Sequence, residues 1–576
     1  MHNLDTQLET CFNILSQEFE IEKVDYILEN GKERKISIPV WRIVIQAEYN
    51  GIATDVEIFM TFPKGFPYVL PGIIIPDERF RFLPHISYRN AKLCIYEDEI
   101  VYDASDIYGI IRTTLKKVRL WIEKYSNQDN TAEYLSEIKQ YWQETFDKEN
   151  EVDNSSIFFG DIPRQSCNIK GIMYYKTNSK DGSKYIQTIY YLENDPIEIL
   201  HLKKFHKTAE ISALFLSNID FPTNPPFALT VLDFIKSITN SDDKKVFQRF
   251  INTNEKGHIL FPIGLNQALG GVIVDKLNTK RKGFRKGALH PFDILTRFEN
   301  KNKYLKRITS NIYNCNRIAT RTSGNLMEKR CFFIAGLGSI GSNLCYYLNG
   351  YNNAQFTLVD TDYLSTDNIG RHLLGFEYIN QNKAYSVASY LKSYRPDREV
   401  QVICNNLQTI PIIDINKESA VFICTGDSMS EQWLIEKMIK KEIIVPVFIL
   451  WLEPYGISGL MMYLNPDDEE SLMRMQTYSY NRFLDYCLID SSEYDKGDKL
   501  IKKDVGCNGK YAQYSANDVI LFLSAIFPYI DKIITTASKS KCYQWIGNIE
   551  IAKQKNIQLC EGVSCLKKNE LRILSI

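Results

Sequence analysis

Three glycines, Gly336, Gly338 and Gly341, form a G-x-G-x-x-G turn, and the residues around it narrow what the turn can do. The apolar run Cys331–Ala335 before it does not alternate, so it reads as a buried strand, and Asn343 to Asn349 continues as a helix. Glycine there allows a tight turn and lets backbone N–H groups approach phosphate at a helix N-terminus. A second apolar run, Phe356–Val359, ends at Asp360, nineteen residues past Gly341, where a carboxylate suits a ribose hydroxyl. Up to this point a nicotinamide dinucleotide and a nucleoside triphosphate fit equally. Asp362, Asn368, Arg371 and Lys383 then gather polar and cationic groups just past the second strand. A dinucleotide needs no such clamp. A triphosphate being cleaved does, because charge develops on its oxygens in the transition state. Asp427 follows the strand-like Ala420–Cys424, at the carboxyl edge where ligands of such sheets bind, and a carboxylate there suits Mg²⁺.

Cysteine supplies a second kind of chemistry. Val505-Gly506-Cys507-Asn508-Gly509 presents a glycine-flanked thiol, and Lys502, Lys503 and Lys510 favour its thiolate. Cys487, between Tyr486 and Leu488, reads as packed. Cys94 lies between the apolar Leu93 and Ile95, which on their own favour a buried thiol, with His85 nine residues earlier.

These groups need elements to hold them, and 576 residues allow three or four domains. The formal charge of −1 gives no reason to expect nucleic-acid binding. No apolar run is long enough to span a membrane, and the polar N-terminal stretch is unlike a signal peptide, so a cytoplasmic protein is expected. Thirteen scattered cysteines read as thiols, and without any C-x-x-C pair no structural zinc is expected.

Helical spacing over residues 3–20 predicts an amphipathic helix, followed by strands at Ile36–Val44 and Asp55–Thr61. Pro63, Pro67, Pro71 and Pro76 then impose an extended path. Helices are expected over Ile107–Tyr125 and Thr131–Asp147, and a charged stretch near 148 marks a boundary. The next region shows strand-like runs at Gly171–Tyr175, Tyr185–Tyr191, Ile211–Leu216, Phe227–Val231 and Val272–Val274, with a helix at Asp243–Ile251. It holds no chemical constellation and reads as a linker domain spacing two catalytic ends. After Asp427 come a helix (Ser430–Lys441), a strand (Ile443–Leu450) and a long polar loop over 466–510. The expected fold class is α/β and multidomain, with an N-terminal α+β domain (1–148), an α+β linker (149–300) and a Rossmann-like domain (301–576).

GLGSIGS, VDTD, NIGRH, Lys383 and CTGD occur in the order of the ThiF/MoeB-type adenylyltransferases, which this stretch (about 305–530) resembles. The resemblance implies that Asp360 holds the ATP ribose, that Asn368, Arg371 and Lys383 hold the phosphates, and that Asp427 holds Mg²⁺. It also places an arginine in the lead-in helix, as Arg321 is here, implies a homodimer, and puts a thioester cysteine on a segment crossing the adenylate site, the role Cys507 fits. The order of elements over residues 1–148 is similar to the ubiquitin-conjugating fold, which puts Cys94 in the place of its thioester cysteine. Where that family has H-P-N, this chain has His85-Ile86-Ser87, leaving Asn90 as a candidate oxyanion donor. The two together resemble the bacterial activating–conjugating fusions of CBASS antiphage operons. The implied substrate is the C-terminus of a cGAS/DncV-like nucleotidyltransferase, the implied acceptor a lysine-bearing protein. A sulfur-carrier adenylyltransferase with an N-terminal binding domain, and a nucleotide-binding scaffold, remain as alternatives.

Overall fold

Leu8, Cys11 and Leu15 share one face of α1 (His2–Leu15), and a helix of this length holds because that face is buried. In this computed structural model the described residues are 2–576 except 30–31, 97–101, 145–151, 178–181, 194–205, 221–224, 226, 228, 265–267, 279–284, 286–287, 326, 497–498, 504–509 and 537. They form two compact units, one ending at Tyr313 and the other beginning at Asn314.

The first unit opens with an antiparallel sheet of β1 (Glu20–Glu29), β2 (Lys32–Tyr49), β3 (Ile52–Thr61), β4 (Gly72–Ile74) and β5 (Lys92–Leu93), paired in that order. Asn50 and Gly51 close the β2–β3 hairpin with φ of 51° and 77°, the turn whose twist matches its strands. Asp106 caps α2 (Ile107–Ser126), accepting the Gly109 N–H, and the helix buries Ile111, Leu115, Val118 and Ile122 at helical spacing. The single helix expected over 131–147 is two, α3 (Thr131–Ser136) and α4 (Ile138–Gln143).

The region read as a linker is a closed barrel. Its strands are β6 (Val152–Phe159), β7 (Cys167–Thr177), β8 (Lys184–Tyr191), β9 (His206–Phe215), β10 (Gly257–Ile263), β11 (Ala268–Val274) and β12 (Lys306–Tyr313), in the order β10-β11-β12-β6-β8-β7-β9. Helices α5 (Val231–Ser237), α6 (Ser241–Asn254) and α7 (Pro291–Thr296) complete it. Of the strand expected over Phe227–Val231, residue 228 lies outside the described residues, Thr230 makes only an isolated bridge to Tyr304, and Val231 already begins α5. Thr230 forms a capping box with Asp233 that starts α5. The barrel does not stop at 300, because β12 pairs with both β11 and β6 and closes the ring. Tyr134, Ile138, Tyr141 and Trp142 of α3 and α4 share a core with Phe261, Ile263 and Val272 of the barrel. The Trp142 indole N–H donates to the Ile308 carbonyl at 2.7 Å.

The second unit contains α8 (Cys315–Thr322), β13 (Arg330–Ala335), α9 (Ser339–Leu348), β14 (Ala354–Val359), α10 (Lys383–Tyr394), β15 (Val400–Ile403), α11 (Ile412–Ile415), β16 (Ala420–Ile423), α12 (Ser428–Ile439), β17 (Val447–Leu452) and β18 (Ser458–Leu464). They are followed by α13 (Glu469–Tyr480), β19 (Ile501–Lys503), β20 (Lys510–Ala512), α14 (Ala516–Thr535), β21 (Lys541–Ile546), α15 (Glu550–Gln554) and β22 (Leu571–Ser575). The sheet runs β15-β14-β13-β16-β17-β18-β21-β22, parallel through β17 and antiparallel beyond. Parallel strands covered on both faces need continuous apolar runs, and Phe332, Phe333 and Ile334 are all buried. Strand order reverses between β13 and β16, and in such folds ligands bind at that edge. The expected loop over 466–510 contains the helix α13, where Leu472 and Met475 are buried against Leu434 and Met438 in one core. The C-terminal residues, unassigned by sequence, add two strands to the sheet. No helix among the described residues is long and apolar enough to cross a membrane.

Candidate functional site

The turn after β13 can be made only by glycine at two of its positions. Gly336 has φ of +85°, and a Cβ there would lie 2.6 Å from the Thr425 nitrogen. A Cβ on Gly341 would lie 1.9 Å from the Gly336 carbonyl oxygen. Gly338, the residue before α9, is different: nothing lies within 4 Å of where its Cβ would be. The chain is therefore tight where it packs on itself and open where the helix N-terminus faces outward, as a phosphate cradle requires.

Asp360, at the end of β14, braces this turn. Its carboxylate accepts the Leu337 N–H at 2.6 Å and the Asp362 N–H at 2.8 Å, while burial pushes its pKa up. Asn382 caps α10 and donates to the Asp360 and Asp362 carbonyls, so Lys383 begins the helix at a fixed place. The Lys383 ammonium, nearly buried, reaches the Asp362 carboxylate at 3.0 Å. Asn368 accepts the Ser365 N–H, and the Asn343 amide of α9 donates to the Arg371 carbonyl, tying the 365–371 turn to the glycine helix. The Arg371 guanidinium donates to the Ala512 carbonyl at 2.6 Å and lies over the Tyr514 ring at 4.4 Å.

His372 carries a role that sequence reading missed. Its Nδ1 accepts the Leu374 N–H at 3.0 Å, so Nε2 carries the proton and donates to the Leu337 carbonyl at 2.7 Å. Burial lowers its pKa to about 4, keeping it a neutral strut beneath the glycine turn. The signal was its position beside Arg371 within NIGRH. Asn382 was also legible, as an asparagine immediately before a helical run.

Asp427 follows β16 through Gly426 and caps α12. One oxygen accepts from the Ser430 hydroxyl at 2.6 Å and its N–H at 3.1 Å, the other from the Met429 N–H at 3.3 Å. Mg²⁺ commonly takes one or two carboxylates together with substrate phosphates and waters, and an exposed carboxylate at the ligand edge fits that pattern. Among the described residues no group of three or more His, Cys, Asp or Glu side chains could hold a metal. Below Asp427, burial and the Asp427 charge raise the Glu431 carboxyl to about 8. Arg321 is exposed on α8.

Cys507 lies outside the described residues. The strands on either side of it, β19 and β20, pair antiparallel with Lys502 opposite Tyr511. Cys487 is buried, and burial drives its thiol pKa well up. Next to it the buried Glu453 carboxylate accepts the Leu488 and Ile489 N–H groups at 2.9 and 3.0 Å, fixing that segment to the sheet.

In the first unit Cys94 is exposed although Leu93 before it is buried. A tight return of chain presents it: the Cys94 N–H donates to the His85 carbonyl at 2.8 Å, and Ile86 bridges Leu93. The thiol opens into a groove of about 830 Å³ lined by Tyr68, Asn90, Glu137 and Glu144 among others. Asn90 uses its side-chain oxygen on the Lys92 N–H at 3.2 Å. His85 is held between Tyr125, Glu133 and Glu137, at 3.0, 2.9 and 3.3 Å.

Residues 311–486 match the ThiF family, and residues 34–150 match the prokaryotic E2 family B. The chain thus carries a ThiF domain and an E2-type domain. It is similar to the ATP-dependent ubiquitin transferase-like protein Cap2 of Pseudomonas aeruginosa (strain BWHPSA011 / Pa011), 29% identical over 188 residues. That match spans 32% of this chain and 32% of the relative. Among solved structures, PaaA aligns at 15% identity and a TM-score of 0.29, over 42% of this chain and 72% of PaaA. E. coli MccB with succinimide aligns at 13% identity and a TM-score of 0.27, over 40% and 62%. E. coli TcdA, a tRNA N6-threonylcarbamoyladenosine dehydratase in complex with ATP, aligns at 16% identity and a TM-score of 0.22, over 25% and 63%.

Proposed function

We propose that this chain is an ATP-dependent protein-conjugating enzyme that activates a protein C-terminus and joins it to a lysine through two thioesters. The observation that carries the reading is the pairing, in one chain, of a ThiF-type nucleotide edge with a cysteine displayed on an E2-type turn. The name of the relative Cap2, ubiquitin transferase-like and ATP-dependent, supports it.

A carboxylate oxygen of the substrate attacks the α-phosphorus of ATP, forming an acyl-adenylate as the bond to pyrophosphate breaks. Gly336, Gly338 and Gly341 give the phosphates room at the start of α9, and Asp360 holds the ribose. Asn368, Arg371 and Lys383 hold the triphosphate, the two cations meeting the charge that gathers on the departing pyrophosphate. Asp362 aims Lys383. Mg²⁺ at Asp427 supplies further charge neutralisation when bound. The Cys507 thiolate then attacks the acyl carbon and AMP leaves. Cys94 takes the acyl group by transthiolation, releasing the Cys507 thiolate. A lysine amine attacks the Cys94 thioester, the thiolate leaves, and the amine's proton passes to solvent. Each thioester keeps the acyl group reactive while dividing one hard transfer into easier ones. A cGAS/DncV-like nucleotidyltransferase as donor, a homodimer through the adenylation domain, a cytoplasmic location and a role in antiphage defence belong to the same reading.

Thioester trapping tests it. The protein is mixed with ATP, Mg²⁺ and the candidate nucleotidyltransferase, and run on gels with and without reductant beside Cys507→Ala and Cys94→Ala. A reductant-sensitive adduct that vanishes in Cys507→Ala and persists in Cys94→Ala is expected. Pyrophosphate release with no adduct in any lane would leave an adenylyltransferase without a relay.

A further inference from the structure

One phenol in the second unit touches both the start of α9 and Arg371. The Tyr514 hydroxyl lies 2.7 Å from the Ser339 hydroxyl, on the first residue of α9 directly after Gly338. Its ring lies 4.4 Å beneath the Arg371 guanidinium. Two residues earlier, the Ala512 carbonyl at the end of β20 accepts from that same guanidinium at 2.6 Å. Ser515, just after Tyr514, caps α14 in a capping box with Asp518, so the backbone beneath the ring is anchored.

An arginine that must stabilise charge in a transition state works best when it need not search for its position. Its side chain has many rotamers, and a flat aromatic face with one in-plane acceptor restricts them while leaving its other N–H groups free to meet a ligand. We propose that Tyr514 is a positioning residue for triphosphate cleavage: its ring fixes the plane of Arg371, and its hydroxyl fixes Ser339 at the mouth of the glycine turn. The inference rests on the adenylation reading above and adds a residue to it. Tyr514 does not touch the reacting atoms, so its contribution appears in turnover more than in nucleotide binding.

Pyrophosphate–ATP exchange by the full chain with its protein substrate separates the possibilities. Tyr514→Leu removes ring and hydroxyl, and kcat should fall about tenfold with KM for ATP changed less than about twofold. Tyr514→Phe keeps the stacking and should show a smaller loss. Arg371→Lys keeps the charge but not the planar fork, and should reproduce the leucine variant's kcat loss with the tyrosine in place. In an Arg371→Ala background Tyr514→Leu should cost no more than Tyr514→Phe does with the arginine present, because the ring acts through the arginine and only the hydroxyl's hold on Ser339 remains to be lost. Thermal melts check that the variants fold, and the phenylalanine and lysine variants carry the test if the leucine variant does not. Undiminished exchange in Tyr514→Leu, or equal losses with and without Arg371, would overturn the inference while wild-type exchange upholds adenylation. A wild type that exchanges no pyrophosphate would overturn both.

Discussion

At the scale of single residues, the proposed nucleotide edge is built from side chains that hold backbone as well as from those that face outward. Asp360 and His372 spend hydrogen bonds on the Leu337 amide and carbonyl respectively, gripping the glycine turn from both sides. Glu431 offers a test of how polar groups are buried near this edge. Its carboxyl, raised to about 8 by burial and by Asp427, is protonated in the folded protein at neutral pH. Unfolded, it titrates near 4.5, so between these values the native state binds the extra proton. Stability from this group is therefore full below pH 4.5 and lost as pH rises toward 8. Glu431→Gln should remove that dependence: the variant's melting temperature should gain on wild type steadily from pH 5 to pH 8. A difference that stays constant with pH would show that Glu431 ionises normally.

At the scale of elements, α9 and its turn separate two demands that a sequence motif merges. Gly341→Ala would drive a methyl group into the Gly336 carbonyl and should lower the melting temperature as well as abolish ATP binding. Gly338→Ala meets no protein atom within 4 Å, so melting should change by less than about 2 °C while ATP affinity falls at least about tenfold. Calorimetric titration beside a thermal melt reads both, and equal destabilisation by the two would contradict the division. The buried strands β13 and β16 were legible as apolar runs, since both faces are covered, and β14 was legible despite Thr357, whose hydroxyl donates to Glu418. The β2–β3 hairpin was equally open to reading from Asn50–Gly51, a signal passed over. The strand expected at Phe227–Val231 shows the limit of short apolar runs: Thr230 bridges Tyr304, yet with Asp233, two residues past the run, it forms the capping box that starts α5 at Val231. Helix α13 reads as loop in the sequence because its polar face outweighs the few apolar residues, Leu472 and Met475, that it buries.

At the scale of the whole molecule, the described residues form two compact units, and the barrel runs past residue 300 to Tyr313. Because β12 pairs with β11 and β6, a fragment of residues 1–313 should unfold cooperatively. A fragment of residues 1–300 should lose that cooperativity, since it leaves both neighbours with open edges and Trp142 without its carbonyl partner. Denaturant titration followed by tryptophan fluorescence distinguishes them, and matching transitions would place the boundary back near 300. The tight glycine turn at Gly336–Gly341, the Asp360 brace and the Lys383–Asp362 pair were legible in the sequence by themselves, because turn chemistry and charge are carried at fixed local spacing; that this edge takes a nucleotide belongs to the proposed function. The E2-type order of elements was likewise present in the chain's proline and apolar pattern. Only the tertiary structure decided that the middle region closes into a barrel, that Cys94 is exposed between apolar neighbours, and that Tyr514 lies beneath Arg371. Each of those depends on contacts between residues far apart in the chain, and no local pattern encodes which distant strand, groove or ring will be the partner.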